Sequence, residues 1–373
     1  MSFLLLAILA GSLVYCILTI VAVQQYLRVR PQRPSSFPPI SILKPLHGFE
    51  EGLERNLRTF FEQDYPCFEI LFAVREKEDA AVPVVEKLCA EYPHVKTALI
   101  VTGQPPYPNA KVFSLDKMAA AATCDILVMS DSDIRVTPSM LATVAAEFSD
   151  PNVAVATCPY RAVPGRSPWS TLEAIGMNTE FWGSALVARL VEGMKFAVGP
   201  TIVARRSVLS SIGGFDRLKD YLAEDFVLGN LAAEAGFGVI LSSYVIEHHI
   251  GAQSLRANAA HRLRWNRSTR RSRPLGYIGQ LFINPTPLML ALLLAEPAWW
   301  PVAIVTLVLR AASAYAVFHR VLADPLCARR WYLIPVQDLL SFVFWVAGFF
   351  GNTILWRGHR YYVLPDGRFQ RCS

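Results

Sequence analysis

The chain has 373 residues, enough for one large domain or two ordinary ones. Hydrophobic residues make up 53% and charged ones 18%, below the roughly 25% of a soluble domain, so part of the chain is expected to lie in lipid. The same numbers exclude a disordered chain, and a net charge of +6 is too small to point to nucleic acid, which is not expected as a partner.

From Phe3 to Val23 the chain is almost wholly apolar, about the length that spans hydrocarbon. No Lys or Arg precedes this stretch, whereas Arg28, Arg30 and Arg33 follow it. That is the reverse of a cleavable signal peptide, so residues 1–26 read as a retained anchor. The positive-inside rule then places the N-terminus outside and everything after Arg28 in the cytoplasm. Pro31–Pro39 reads as a stiff linker leaving the membrane. Seven scattered cysteines form no C-x-x-C pair, which argues against a zinc site or a disulfide framework and fits a reducing compartment.

Residues 38–274 have ordinary polarity and are expected to form the cytoplasmic domain. Ile40–Leu43, Glu69–Val74, Thr97–Val101, Ile126–Met129 and Val153–Thr157 are short apolar, β-branched runs that predict strands. Between them, Leu53, Leu57, Phe60 and Phe61 share one helical face, and Val84, Val85, Leu88 and Cys89 another. Strands alternating with helices predict an α/β fold built on a mostly parallel sheet. Such sheets bind ligands beyond the C-terminal ends of their strands, which directs attention to Lys44-Pro45 and to Ser130-Asp131-Ser132-Asp133.

Asp131 and Asp133 flank one residue on a tight loop, where alternate carboxylates can hold Mg²⁺ or Mn²⁺ and leave positions for diphosphate oxygens. The plainer role for either is to cap the following turn. Glu224-Asp225 opens an amphipathic helix, where acidic residues are common for dipole reasons, yet a carboxylate held there can act as a general base. From Arg256 to Arg273 there are seven arginines in a helical pattern. Most are expected to face lipid headgroups, with Arg264, beside Trp265, pointing inward toward a diphosphate. Leu172–Phe196 fits an amphipathic lid or plain core. His248-His249 follows a further strand and offers a metal ligand or, more simply, a structural hydrogen bond.

Within residues 281–356, expected to be embedded in the membrane, apolar character returns over Leu281–Phe318, broken near Glu296-Pro297, and again over Ile334–Leu355, and residues 357–373 are expected to form a cytoplasmic tail. His319, Arg320, Arg329 and Arg330 lie between the two apolar stretches, and Arg357, His359 and Arg360 follow them. Both flanks read as cytoplasmic, which one crossing of Ile334–Leu355 cannot satisfy unless it is re-entrant or interfacial. Arg310 would cost roughly 2.5–3.5 kcal/mol deep in the bilayer. It is expected either to pair with Glu296 or to sit near the headgroups.

Taken together, Lys44-Pro45-Leu46 with Gly48, Glu78-Asp79-Ala80, Asn109-Ala110-Lys111, Asp131-Ser132-Asp133-Ile134, Glu224-Asp225 and Arg264-Trp265 resemble the ceramide glucosyltransferase family of inverting, metal-dependent glycosyltransferases. Its bacterial branch includes hopanoid-associated lipid glycosyltransferases. The resemblance implies a GT-A-like, Rossmann-related domain that binds a nucleotide sugar through Lys44, Asp79, Lys111, Asp131, Asp133, Arg264 and Trp265. It implies metal at Asp131 and Asp133 and makes Asp225 the base. The family's last motif is Q/R-x-x-R-W, and His261 stands here where Gln or Arg is usual. The implied partners are a UDP-sugar, a membrane lipid acceptor and the bilayer, with a multi-pass protein in the inner membrane. On the hopanoid reading the pair is UDP-N-acetylglucosamine and bacteriohopanetetrol; on the ceramide reading it is UDP-glucose and ceramide. A processive polysaccharide synthase and a catalytically silent membrane scaffold are the rivals.

Overall fold

The computed structural model describes residues 2–29, 34, 36–356 and 359–372. Arg30, Arg33, most of the head of the expected linker, and Arg357 lie outside the described residues. The chain divides into two compact units, one of residues 30–160 and 194–249, the other of residues 1–29, 161–193 and 250–373.

The first unit is built on a seven-stranded sheet. Its strands are β1 (Ile40–Pro45), β2 (Phe68–Val74), β3 (Lys96–Val101), β4 (Ile126–Ser130), β5 (Val153–Thr157), β6 (Thr201–Arg205) and β7 (Gly238–Leu241). The five expected strands are present within a residue or two of their expected ends. In space the order is β3-β2-β1-β4-β6-β5-β7. β2, β1 and β4 run parallel, as do β5 and β7, while β6 is antiparallel to both β4 and β5. β1 and β4 are buried along almost their whole length, so they read as continuous apolar runs rather than alternating ones. Leu43, Leu71, Met129 and Ala204 of the sheet pack with Val112, Leu115 and Leu228 of its covering helices. The helix Ala110–Ala121 starts at Asn109, whose side-chain oxygen accepts from the Val112 N–H, and the helix Glu224–Glu234 starts on its acidic pair. His248 and His249 lie within a strand, Ile246–Ile250, rather than after one.

The second unit is mainly helical. The N-terminal helix, Ser2–Tyr26, covers the expected anchor. Helices Pro168–Gly176 and Trp182–Glu192 are joined by a π-helical turn, Met177–Phe181. The basic run forms a helix, Leu255–Ser272, capped by Ser254. Among the described residues, three stretches are long and apolar enough to cross a membrane: Ser2–Tyr26, Pro297–Val321 and Pro325–Gly348. A bent pair, Pro274–Phe282 and Pro285–Ala295, meets at 54°. The chain ends in an antiparallel sheet of Thr353–Trp356, His359–Val363 and Phe369–Arg371.

Two expectations about charge are corrected here. Arg310 pairs with Asp338, not with Glu296: its Nη2 lies 2.6 Å from one carboxylate oxygen and its Nε 3.0 Å from the other, which also accepts from Thr286 at 2.7 Å. Asp338 was hidden in an apolar run, and only the packing of three helices brings it to the guanidinium. The arginines of the basic helix are not mainly turned to headgroups. Arg262 is buried and donates to Asn258 and Gln337, and Arg273 pairs with Glu192. Arg267 donates to the carbonyls of Phe350 and Thr353, and Arg270 to those of Phe349 and Gly351. Carbonyls left open at a helix end attract cationic donors, and these arginines answer that need.

Candidate active site

The site assembles where the C-terminal ends of β1 and β4 meet the N-terminal end of β6. Ser130 of β4 pairs in register with Thr201 of the antiparallel β6. Asp131 therefore emerges beside Gly199-Pro200, and its N–H donates to the Pro200 carbonyl at 3.0 Å. The loop between Asp131 and Asp133 is fixed from outside: Asn56 Nδ2 donates to the Ser132 carbonyl at 3.2 Å, and Ser132 Oγ donates to Glu50 at 2.7 Å.

Four charged side chains converge on this edge. Lys111 Nζ lies 2.6 Å from Asp131 Oδ1 and 3.5 Å from Glu224 Oε1, and donates to the Gly199 carbonyl at 3.2 Å. Asn109 Nδ2 donates to Glu224 Oε2 at 3.2 Å and to the Tyr221 carbonyl at 2.9 Å, holding the start of the acidic helix. Asp225 lies against Gly199: a Cβ at that position would stand 2.9 Å from Asp225 Oδ2. Lys111, Gly199, Glu224 and Asp225 line one pocket, with Met129 and Leu228 among its apolar walls.

Lys44 sits beneath the loop, fully buried, its ammonium over the Phe60 ring at 3.8 Å. It donates to Ser130 Oγ and to the Asp131 carbonyl. Asp79 is committed within the protein as well. It accepts from the Gly48 N–H at 2.9 and 3.1 Å and from the Ala81 N–H at 2.9 Å, tying the loop after β1 to the loop after β2. Gly48 has φ +69°, a backbone conformation that glycine adopts without strain. Asp133 Oδ2 lies 3.0 Å from His248 Nε2, and the His248 ring meets Tyr160 edge-on at 5.1 Å.

These surroundings shift the titrations in opposite directions. Burial pushes the Lys44 ammonium down to about 7, against the pull of Asp131 and Asp133. Burial also opposes charge on Lys111, but the carboxylates of Asp131 and Glu224 outweigh it and hold the ammonium above the usual lysine range. Asp225 is raised to about 6 by burial and by the neighbouring Glu224 charge. Asp131 is raised by burial, whereas burial of Asp133 is outweighed by His248, which holds it below the ordinary carboxylate range.

Asp131 and Asp133 suit a hard cation. Asp133 Oδ1 is buried and has no hydrogen-bond partner among the described residues, a cost that a bound cation would remove. Among the described residues no cluster of three or more His, Cys, Asp or Glu side chains has metal-ligand spacing, so the two carboxylates would share the ion with ligand oxygens.

Of the residues expected from the sequence, Lys44, Asp79, Lys111, Asp131, Asp133 and Asp225 belong to the sheet unit. Arg264 and Trp265 belong to the helical unit, on the helix Leu255–Ser272. His261, on the same helix, places Nδ1 2.5 Å from Glu173 Oε1 and its ring 5.4 Å from the Trp265 ring. Sequence reasoning passed over Asn56 and Gly199, whose partners are remote in the chain.

The family model for glycosyl transferase family 21 matches residues 4–369. The chain belongs to that family. It is 26% identical over 211 residues to ceramide glucosyltransferase 1 of Caenorhabditis elegans, covering 56% of this chain and 45% of that protein. It is 26% identical over 246 residues to ceramide glucosyltransferase 3 of the same animal, covering 64% of this chain and 53% of that one. The chain thus spans about half the length of the curated relatives it matches. A mannosyltransferase of Pyrobaculum calidifontis, solved in complex with GDP-Man and Mn²⁺, superposes with a TM-score of 0.55 at 19% identity, covering 92% of this chain and 97% of that one. That likeness gives the family member a GT-A glycosyltransferase fold.

Proposed function

We propose that this chain moves one sugar, glucose or N-acetylglucosamine, from a UDP-sugar to the hydroxyl of a membrane lipid, a hopanoid such as bacteriohopanetetrol or a ceramide, with inversion. The observation that carries this reading is the pocket in which Asp225, raised to about 6, shares its lining with Lys111, the partner of Asp131. A base poised just below neutral pH therefore stands beside a cation that complements a leaving diphosphate. Family membership and the ceramide glucosyltransferase relatives support the same class.

In this mechanism the Asp225 carboxylate takes the proton of the acceptor hydroxyl. The hydroxyl oxygen forms its bond to the anomeric carbon as the bond from that carbon to the diphosphate breaks. UDP departs with both electrons, and an α-linked donor yields a β-glycoside. The helix beginning at Glu224 is held by Asn109, which fixes the carboxylate before the acceptor arrives. Lys111 supplies positive charge at the departing diphosphate, and Gly199 leaves room for Asp225 because it has no side chain. Asp131 and Asp133 would hold Mg²⁺ or Mn²⁺, and such an ion offsets negative charge on the leaving group. The Mn²⁺ in the mannosyltransferase of the same fold supports this assignment.

The apolar helices support attachment to the membrane. The positive charge after the N-terminal helix supports an inner-membrane protein with the site on the cytoplasmic side. The test is to incubate the full chain with UDP-glucose or UDP-N-acetylglucosamine, Mg²⁺ or Mn²⁺, and a bacterial lipid extract. Mass spectrometry is expected to find a lipid heavier by one hexose or one N-acetylhexosamine. A polymeric product would replace this reading with a polysaccharide synthase. No product and no Mn²⁺-dependent UDP-sugar binding would replace it with a silent scaffold.

A further inference from the structure

Two histidines stand side by side in the strand Ile246–Ile250 of the sheet unit, and each meets a carboxylate. Successive side chains of a strand point to opposite faces, so the two lie in different surroundings. His249 shares its face with Glu247, and its Nε2 lies 2.9 Å from the Glu247 carboxylate. His248 turns the other way, and its Nε2 lies 3.0 Å from Asp133 Oδ2. An ionised carboxylate oxygen only accepts, so the imidazole nitrogen donates. The His248 side chain is 14% exposed against 32% for Asp133, so the carboxylate is the more open of the two to an arriving ligand.

The backbone puts the imidazole there. Glu247 and His248 pair antiparallel with Arg135 and Ile134, a two-residue strand that follows Asp133 directly. The ladder runs one step further, where the His249 N–H donates to the Asp133 carbonyl at 2.8 Å. At the start of the strand the Ile246 N–H donates to the Pro159 carbonyl at 2.9 Å. The next residue, Tyr160, is fully buried and sets its ring edge-on to that of His248. His248 is therefore held by a ladder that ends on the very residue it touches.

The oxygens of the two aspartates consequently differ. Asp133 Oδ2 is occupied by His248, whereas Asp133 Oδ1 is buried and lacks a hydrogen-bond partner among the described residues. Asp131 Oδ1 is already engaged by Lys111 at 2.6 Å. A hydrogen bond on one oxygen fixes the orientation of a ligating carboxylate and aims the other. We infer, on the proposed assignment of Asp131 and Asp133 to Mg²⁺ or Mn²⁺, that His248 is the positioning residue of the metal site. It ties down Asp133 Oδ2 so that Oδ1 meets the cation, and it acts through Asp133 rather than on the ion. An Nε2 that carries its proton toward Asp133 has no lone pair left for a metal.

Mn²⁺ binding to the full chain with UDP present tests this without turnover, read by loss of the paramagnetic resonance signal of the unbound ion. His248→Ala is expected to weaken Mn²⁺ binding by about tenfold or more. His248→Gln, whose amide can donate from nearly the same place, should recover most of the loss. His249→Ala, one residue away on the other face, should change it by less than about twofold. In an Asp133→Asn background, His248→Ala should cost little more, because its effect passes through the carboxylate already removed. Unchanged Mn²⁺ affinity in His248→Ala overturns the inference, and so does a full further loss in the Asp133→Asn background. Pulsed resonance of Mn²⁺ bound to the wild-type chain needs no variant: a nitrogen bonded to the ion overturns positioning in favour of ligation. A wild-type chain that binds no Mn²⁺ with UDP removes the metal assignment itself and this role with it.

Discussion

Lys111–Asp131 in the sheet unit, half-buried, and Arg310–Asp338 in the helical unit, buried, are ion pairs with the same contact of 2.6 Å, yet they are completed differently. Arg310 and Thr286 between them occupy both oxygens of Asp338. Around Lys111, by contrast, Asp133 Oδ1 lacks a partner among the described residues and Asp225 is lifted toward neutrality. A closed pair fastens helices together. An open one holds charge ready for something that is yet to bind, and the cost of leaving it open marks the site.

The contrast can be broken at several points. Replacing Asp225 by Asn removes the base and is expected to lower turnover by roughly 10²–10⁴-fold or more, with UDP affinity nearly unchanged by calorimetry. Retained turnover would take Asp225 out of that role. Asp338→Ala leaves Arg310 charged and unpaired, and is expected to cost about 3–5 kcal/mol in thermal or denaturant unfolding, with the folded fraction still active. The double variant Arg310→Met, Asp338→Leu should recover most of that loss, because an apolar pair carries no unpaired charge. If it does not, the pair does more than fasten helices.

Smaller effects sharpen the difference. Asp133→Asn is expected to weaken Mn²⁺-dependent UDP-sugar binding by about tenfold or more, about 1.4 kcal/mol, in a titration with and without the metal. Because the Asp225 carboxyl titrates at about 6 when free, its base form is lost below that pH. The rate constant kcat/KM should therefore rise about tenfold per pH unit below 6 and level off above it. A profile flat from pH 5 to 8 would remove Asp225 as the titrating group. Gly199→Ala should push Asp225 aside and reduce kcat more than it raises KM, whereas an effect on KM alone would limit Gly199 to ligand binding.

The parallel half of the sheet was legible because β1, β2, β3 and β4 are each a local apolar run, and their alternation with helices fixes the connection. The strand ends then pointed to Lys44 and to Asp131 and Asp133. The antiparallel β6 was not legible, since Thr201–Arg205 looks like any other apolar run, and its direction depends on pairing with residues over seventy positions away. Gly199 went unnoticed for the same reason: its role lies in where β6 begins. Asp338 and Glu173 were hidden by the composition around them, and only tertiary packing shows which cation each one meets. The arginine run was read correctly as a helix and wrongly as mostly lipid-facing, because backbone carbonyls as partners leave no trace in sequence.

That last feature has a consequence in time. Arg267 and Arg270 are made some eighty residues before the carbonyls of residues 349–353 that hold them. Until the ribosome has added the residues between, neither guanidinium group has these partners, and both are left to solvent. The clasp between the basic helix and the start of the terminal sheet can therefore close only after residues 349–353 have been made.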